Sequence, residues 1–284
     1  MEGLEEPTPV SLLHRGWDAT HDRDGPVHPA NVAALPVRGR DPGGEVVDPT
    51  AQRDRDLLGA VAAGAAVAVL AAVGAFTAEG FSAVGVVAAP TGAAAMWLLA
   101  ANLPVGWWVH LVAVVATTVA LWQQPYGNGG LALLRFVLVT FVQLALALAC
   151  LQGWWSWRRG GPDGGPVPVT RVRLRTALLT APVVLVAVAV VSAPQAGSGL
   201  ERLWPAVLGV GSVAGFAWLA RRHVEGWWVL IAVHAVGVAV HAPAGRPVSA
   251  ALHLVFLVLA AVGNGRFQRR RTGSEVTLGR PAVR

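Results

Sequence analysis

The chain has no lysine, a single cysteine, and charge on only 13% of its 284 residues. Each scarcity excludes something. A soluble domain carries about a quarter charged residues, so roughly half that share argues against an ordinary water-soluble core. Cys150 lies inside an apolar run with no second cysteine to meet it, which rules out a disulfide within one chain and with it a small secreted disulfide scaffold. All 22 basic residues are Arg in a chain rich in Ala, Val, Gly and Pro, so the pI of about 11.2 reads as compositional bias. No basic patch is interleaved with aromatics as single-strand binding requires, and nucleic acid is not an expected partner. The apolar runs contain no carboxylate; Glu79, Glu201 and Glu225 all lie at their ends. That disfavours a carboxylate-driven ion pump. With no nucleophile–base pair, phosphate loop or paired carboxylates in the runs, the chain does not read as an enzyme, and no cofactor is expected.

What is present is apolar length. Hydrophobic residues make up 54% of the chain and gather in runs at 57–77, 81–101, 106–122, 131–152, 176–193, 203–220, 226–242 and 247–264. Each run is near the ~20 residues that cross a ~30 Å hydrocarbon core. The fold class is therefore an all-α polytopic membrane protein with eight predicted transmembrane helices, and the lipid bilayer is its first partner. Arg158, Arg159, Arg171, Arg173 and Arg175 follow the fourth run, Arg221 and Arg222 the sixth, and Arg266, Arg269, Arg270 and Arg271 the last. With eight spans these basic loops share one side with both termini, which predicts a multi-pass plasma-membrane protein with both ends in the cytoplasm.

Residues 1–56 differ from the rest. Eleven acidic residues face six Arg, with seven Pro and six Gly, so the segment reads as a disordered acidic cytoplasmic tail and not as a signal peptide. His14, His21 and His28 recur there every seven residues, which reads as chance where no helix is predicted.

The remainder contains a repeat. Gly106-Trp107-Trp108-Val109 returns as Gly226-Trp227-Trp228-Val229, each opening an apolar run after one that ends in Leu-Ala. Each copy continues to a glycine, aromatic and Arg cluster: Gly153-Trp154-Trp155-Ser156-Trp157-Arg158, then Gly263-Asn264-Gly265-Arg266-Phe267. This divides the chain into an additional helix at 57–77, a first three-helix repeat at 81–160, a linker helix at 171–195, a second repeat at 201–270 and a tail at 271–284. Copies that enter the membrane in the same direction characterise one class of secondary transporter, with substrate bound between them.

At these residues the sequence resembles the PnuC family of vitamin transporters, over roughly 79–160 and 201–271. The resemblance rests on Trp97-Leu98 through Asn102 to Trp107, on Gly153 to Arg158, and on Leu219-Ala220-Arg221-Arg222-His223-Val224-Glu225-Gly226-Trp227 followed by Val255 to Gly263. It implies a SWEET-like 3+1+3 parallel repeat with one extra N-terminal helix, and facilitated uptake of nicotinamide riboside or a related vitamin precursor. It also implies Gln143 at the family's substrate-contacting glutamine and Trp227 at the first tryptophan of its paired aromatic motif. Leu230 replaces that motif's partner, and Gly226 the asparagine before it. His234 stands at the usual Asn or Asp, while His241 and His253 stand where tyrosines are usual. These changes leave riboflavin, thiamine or a nucleoside open as cargo.

Physical reasoning selects the same positions. Polar side chains inside a span face a bundle interior or a cavity. Gln143 sits among Leu and Ala; His234 and His241 lie seven apart on one helical face; His253 is in the next helix, and His110 occupies the place of Leu230 in the first copy. The candidate substrate contacts are thus Gln143, Trp227, His234, His253, His241 and His110. Two other classes stay open. One is a histidine-lined metal carrier or metal-binding membrane protein; the other is a scaffold that kept the fold without transport. Assembly into homo-oligomers is left open.

Overall fold

The computed structural model describes residues 49–76, 83–123, 130–159, 169–194 and 199–278. Among them are eight helices: α1 (Pro49–Ala75), α2 (Ala83–Ala100), α3 (Val105–Trp122), α4 (Gly130–Arg158), α5 (Leu174–Ser192), α6 (Gly199–Ala220), α7 (Glu225–His241) and α8 (Pro247–Leu278). Six are long and apolar enough to cross a membrane, and the apolar stretches Val84–Ala100 and Glu225–His241 are shorter. Helices are what such runs must form, because hydrocarbon offers no partner to a free backbone N–H or C=O. Large apolar side chains are exposed along them, including Leu178, Leu179, Val183 and Leu185 of α5. A soluble protein does not present so continuous an apolar surface.

Six of these helices close a ring. α2 packs on α3, α3 on α4, α4 on α6, α6 on α7, α7 on α8, and α8 returns to α2, while α5 lies against α6. The two turns that open α3 and α7 have one geometry. Asn102 and Arg222 both take a left-handed backbone, φ 65° and 60°. The N–H of Asn102 bonds Leu99 O at 2.9 Å and that of Arg222 bonds Leu219 O at 2.8 Å. The N–H of Leu103 reaches Leu98 O and that of His223 reaches Trp218 O, each at 2.9 Å. The repeated sequence is thus a repeated turn. Burial holds the His223 imidazole below its ordinary value of 6.5, with Glu225 pulling it up and Arg221 down.

The helix ends differ from the sequence expectation. α1 begins at Pro49, so residues 49–56, expected in the tail, are helical. Asp56 explains it: the carboxylate is buried, accepts from Gln52 Nε2 at 3.2 Å and pairs with Arg266 of α8, also at 3.2 Å. The Arg266 guanidinium in turn lies 4.6 Å over the Trp97 ring. α4 and α8 run past their expected ends at 152 and 264, carrying both aromatic and Arg clusters within the helix. His14, His21, His28 and Glu79 lie outside the described residues.

Replacing Asp56 with alanine is expected to lower stability by about 1–3 kcal/mol, because Arg266 loses its counterion in a partly buried position. Thermal unfolding in detergent measures it; an unchanged midpoint would mean that α1 is held without the pair.

Candidate functional site

Where the ring closes there is a cavity of about 300 Å³, and each of its six helices contributes to the wall. α2 supplies small residues, Gly85, Ala88, Ala89 and Gly92, which leave the space open. Phe216 and Phe256 give it aromatic faces, and its polar side chains are His110, Thr117, Gln143, Ser212, His234 and His253. None of the described residues that line it is acidic, Arg or Lys.

The polar groups are not all satisfied. His110 is buried and lies against Phe216, ring centroids 3.9 Å apart and 31° between planes, yet neither of its nitrogens has a hydrogen-bond partner among the described residues. Gln143 Oε1 is likewise buried without one. Thr117 is different: its hydroxyl donates to Ala113 O at 2.8 Å within its own helix. Buried polar atoms are nearly always paired, since leaving one bare costs about 1–3 kcal/mol. Two such groups line one cavity.

On the opposite wall His234 and His253 meet nitrogen to nitrogen, Nδ1 to Nδ1 at 3.2 Å. Phe256 stacks on His234 at 5.1 Å and 19°. His253 clusters with His241, parallel at 5.3 Å and 1°, and with Trp204 at 4.8 Å and 86°, and Trp204 also meets His241 at 5.6 Å and 87°. Gly237 allows this: a Cβ there would lie 2.6 Å from the His253 ring and 2.7 Å from Trp204.

Four of the six candidate residues therefore share the cavity: Gln143, His110, His234 and His253. His241 is buried behind His253 and is not among the lining residues. Trp227 does not line it either. Its fully buried indole fills the notch left by Gly263, whose Cβ would lie 2.6 Å from the ring, and meets Phe267 edge-on at 5.6 Å. Trp107 packs on Gly153 in the same way. Sequence reasoning did not single out Phe216, Phe256 or Met96, because an apolar residue within an apolar helix carries no mark of which face it takes, nor Ser212 or Thr117, because a small hydroxyl can be satisfied by its own helix, as Thr117 is by Ala113 O. Among the described residues no three of His, Cys, Asp and Glu come together as a metal-ligand set.

The model of the nicotinamide mononucleotide transporter family matches residues 82–268, from just before α2 into α8. The chain belongs to this family. It is accordingly a multi-pass membrane transporter, with the cavity inside the matched region and α1 outside it. A crystal structure of the vitamin B3 transporter PnuC superposes with a TM-score of 0.51 at 15% identity, over 80% of this chain and 99% of that one, a likeness of fold. No curated protein matches.

Proposed function

We propose that this transporter carries nicotinamide riboside, or a closely related vitamin precursor, by facilitated passage through the central cavity. The observation that carries the reading is the cavity's chemistry in a chain of this family: neutral hydrogen-bonding groups and aromatic faces, with no charged side chain among the described lining residues. The volume of about 300 Å³ is at the lower end for small-molecule sites. The riboside's pyridinium ring carries a positive charge, which Phe216 and Phe256 can attract through their π faces. Gln143 and His110 offer donors and acceptors to a carboxamide or to ribose hydroxyls.

The same chemistry favours the riboside over its phosphorylated form. A phosphate dianion in a low-dielectric site needs a cation or several donors, and none of the described lining residues is Arg or Lys. We read α2–α4 and α6–α8 as two parallel repeats joined by α5, a SWEET-like 3+1+3 arrangement with α1 added. The matching turns at Asn102 and Arg222 support this, as does the ring in which the last helix of each triplet packs on the first of the other. The positions of the Arg residues support both termini being cytoplasmic in a plasma membrane.

The test is uptake of labelled nicotinamide riboside into proteoliposomes, with the 5′-phosphate, riboflavin and thiamine as competitors. Saturable uptake is expected, and the phosphorylated form should need a concentration about 100-fold higher to compete. Equal competition by the phosphate would overturn the charge argument. Absence of flux, with reconstitution shown independently, would overturn the riboside.

A further inference from the structure

A second hollow, of about 590 Å³, lies between α5 and the α6–α7 pair and shares no lining residue with the central cavity. Its walls are aliphatic and mostly small, with Ala181, Val184 and Ala187 from α5 and Val210, Ala214 and Ala217 from α6. The Thr180 hydroxyl on the same wall donates to Thr176 O at 2.9 Å within its own helix. The wall therefore suits hydrocarbon. One end differs, because Trp218 and Arg221 stand there.

Length and width narrow the choice of occupant. Arg221 and Val210 are eleven residues apart, about 16 Å at the helical rise. That is half of a ~30 Å hydrocarbon core, the depth of one leaflet. About 590 Å³ over that length gives a cross-section of roughly 40 Å², about half that of a helix 10 Å across. A helix from a second copy is too wide for the slot, whereas lipid tails are not.

Charge narrows it further. The N–H of Thr170 bonds Arg222 O and its carbonyl accepts from Val224 N–H, each at 3.1 Å. This ties the segment bearing the exposed Arg171, Arg173 and Arg175 to the turn that carries Arg221, itself exposed. Among the described residues of this segment and turn Glu225 is the one carboxylate, and its Oε2 accepts from Val172 N–H at 3.0 Å. A guanidinium can hold two phosphate oxygens at once, and clustered Arg at a membrane surface draws anionic lipid.

We propose that this slot holds one anionic phospholipid, its tails between α5 and α6 and its phosphate on Arg221. Trp218, one helical turn before Arg221, stands where tails meet headgroup, a usual place for an indole. α5 packs on the ring mainly through α6, so a lipid seated there braces the linker helix and stabilises the fold. A zwitterionic lipid with the same tails fits the slot but sets a second cation among the Arg residues.

The test is the unfolding temperature of the full chain in neutral detergent as lipid is added. Phosphatidylglycerol is expected to raise it by about 3–5 °C. Phosphatidylcholine with the same tails should do less than half as much, and glycerol phosphate nothing. In Arg221→Gln the two lipids should act alike. In Ala217→Leu, or in Ala214→Leu as a second filler of the slot, both should lose their effect. Equal shifts from the two lipids in wild type would overturn the proposal, as would a phosphatidylglycerol preference that survives Arg221→Gln. A shift reproduced by glycerol phosphate would leave the slot no part in it. A lipid response intact in both filled variants would overturn it too, and a smaller mass by light scattering in those variants would give the slot to a second copy.

Discussion

Gly153→Val is expected to cost about 3 kcal/mol or more, enough to remove most of the folded protein from the membrane. A Cβ at this position would lie closer to three atoms of the Trp107 indole than any carbon contact allows, the farthest of the three at 2.6 Å. Trp107 is 1% exposed, edge-on to Trp157 at 5.3 Å and to Phe216 at 6.3 Å. Overpacking of a filled core typically costs about 1–3 kcal/mol, and here the branched side chain meets a rigid ring across the α3–α4 contact. The measurement is the yield of monodisperse protein in detergent, together with its unfolding temperature. Shortening the ring in Gly153→Val/Trp107→Leu should recover part of the loss, which separates a clash with the indole from a general dislike of valine in α4. Wild-type stability in the single variant would refute the close approach.

Gln143→Leu should do the reverse, holding or raising stability while uptake falls about 10- to 100-fold in kcat/KM. Leucine fills nearly the same volume, and it removes a buried Oε1 that no group of the described residues satisfies. An unmet buried acceptor costs about 1–3 kcal/mol, so its removal favours the empty fold. Under the proposed function the same amide is what the cavity would offer the cargo from α4. A gain in stability paired with a loss of transport is the signature of a group retained for its ligand. A loss of both would instead mark Gln143 as structural, and unaltered uptake would remove it from the site. Unfolding curves and initial uptake rates on one preparation distinguish the three.

The contrast between these positions shows what the sequence carried. Gln143, His110, His234 and His253 could be picked out because a polar side chain inside a long apolar run is costly and therefore conspicuous. Their convergence on one cavity could not, since it depends on which helix faces which. Trp227 illustrates the limit: paired tryptophans at a span entrance suggest an aromatic contact, but its direction was decided by a glycine one helix away. Gly263 has the look of a chain break in sequence and serves in the fold as the hollow for that ring. The apolar runs predicted the helices well, and their ends poorly. The Gln52 to Asp56 stretch reads as a continuation of an acidic tail until Asp56 meets Arg266, 210 residues away. Nothing local announces that pairing.

The uncharged wall of the cavity also bears on energetics. A cargo that is itself a cation, moving through a site that brings no countercharge, transfers one net charge per passage. An interior-negative potential then drives it inward by about 2.3 kcal/mol per 100 mV, a concentration ratio of about fiftyfold at equilibrium. The carrier would need no coupled ion to concentrate its cargo, and depolarisation alone would let the cargo leak back out.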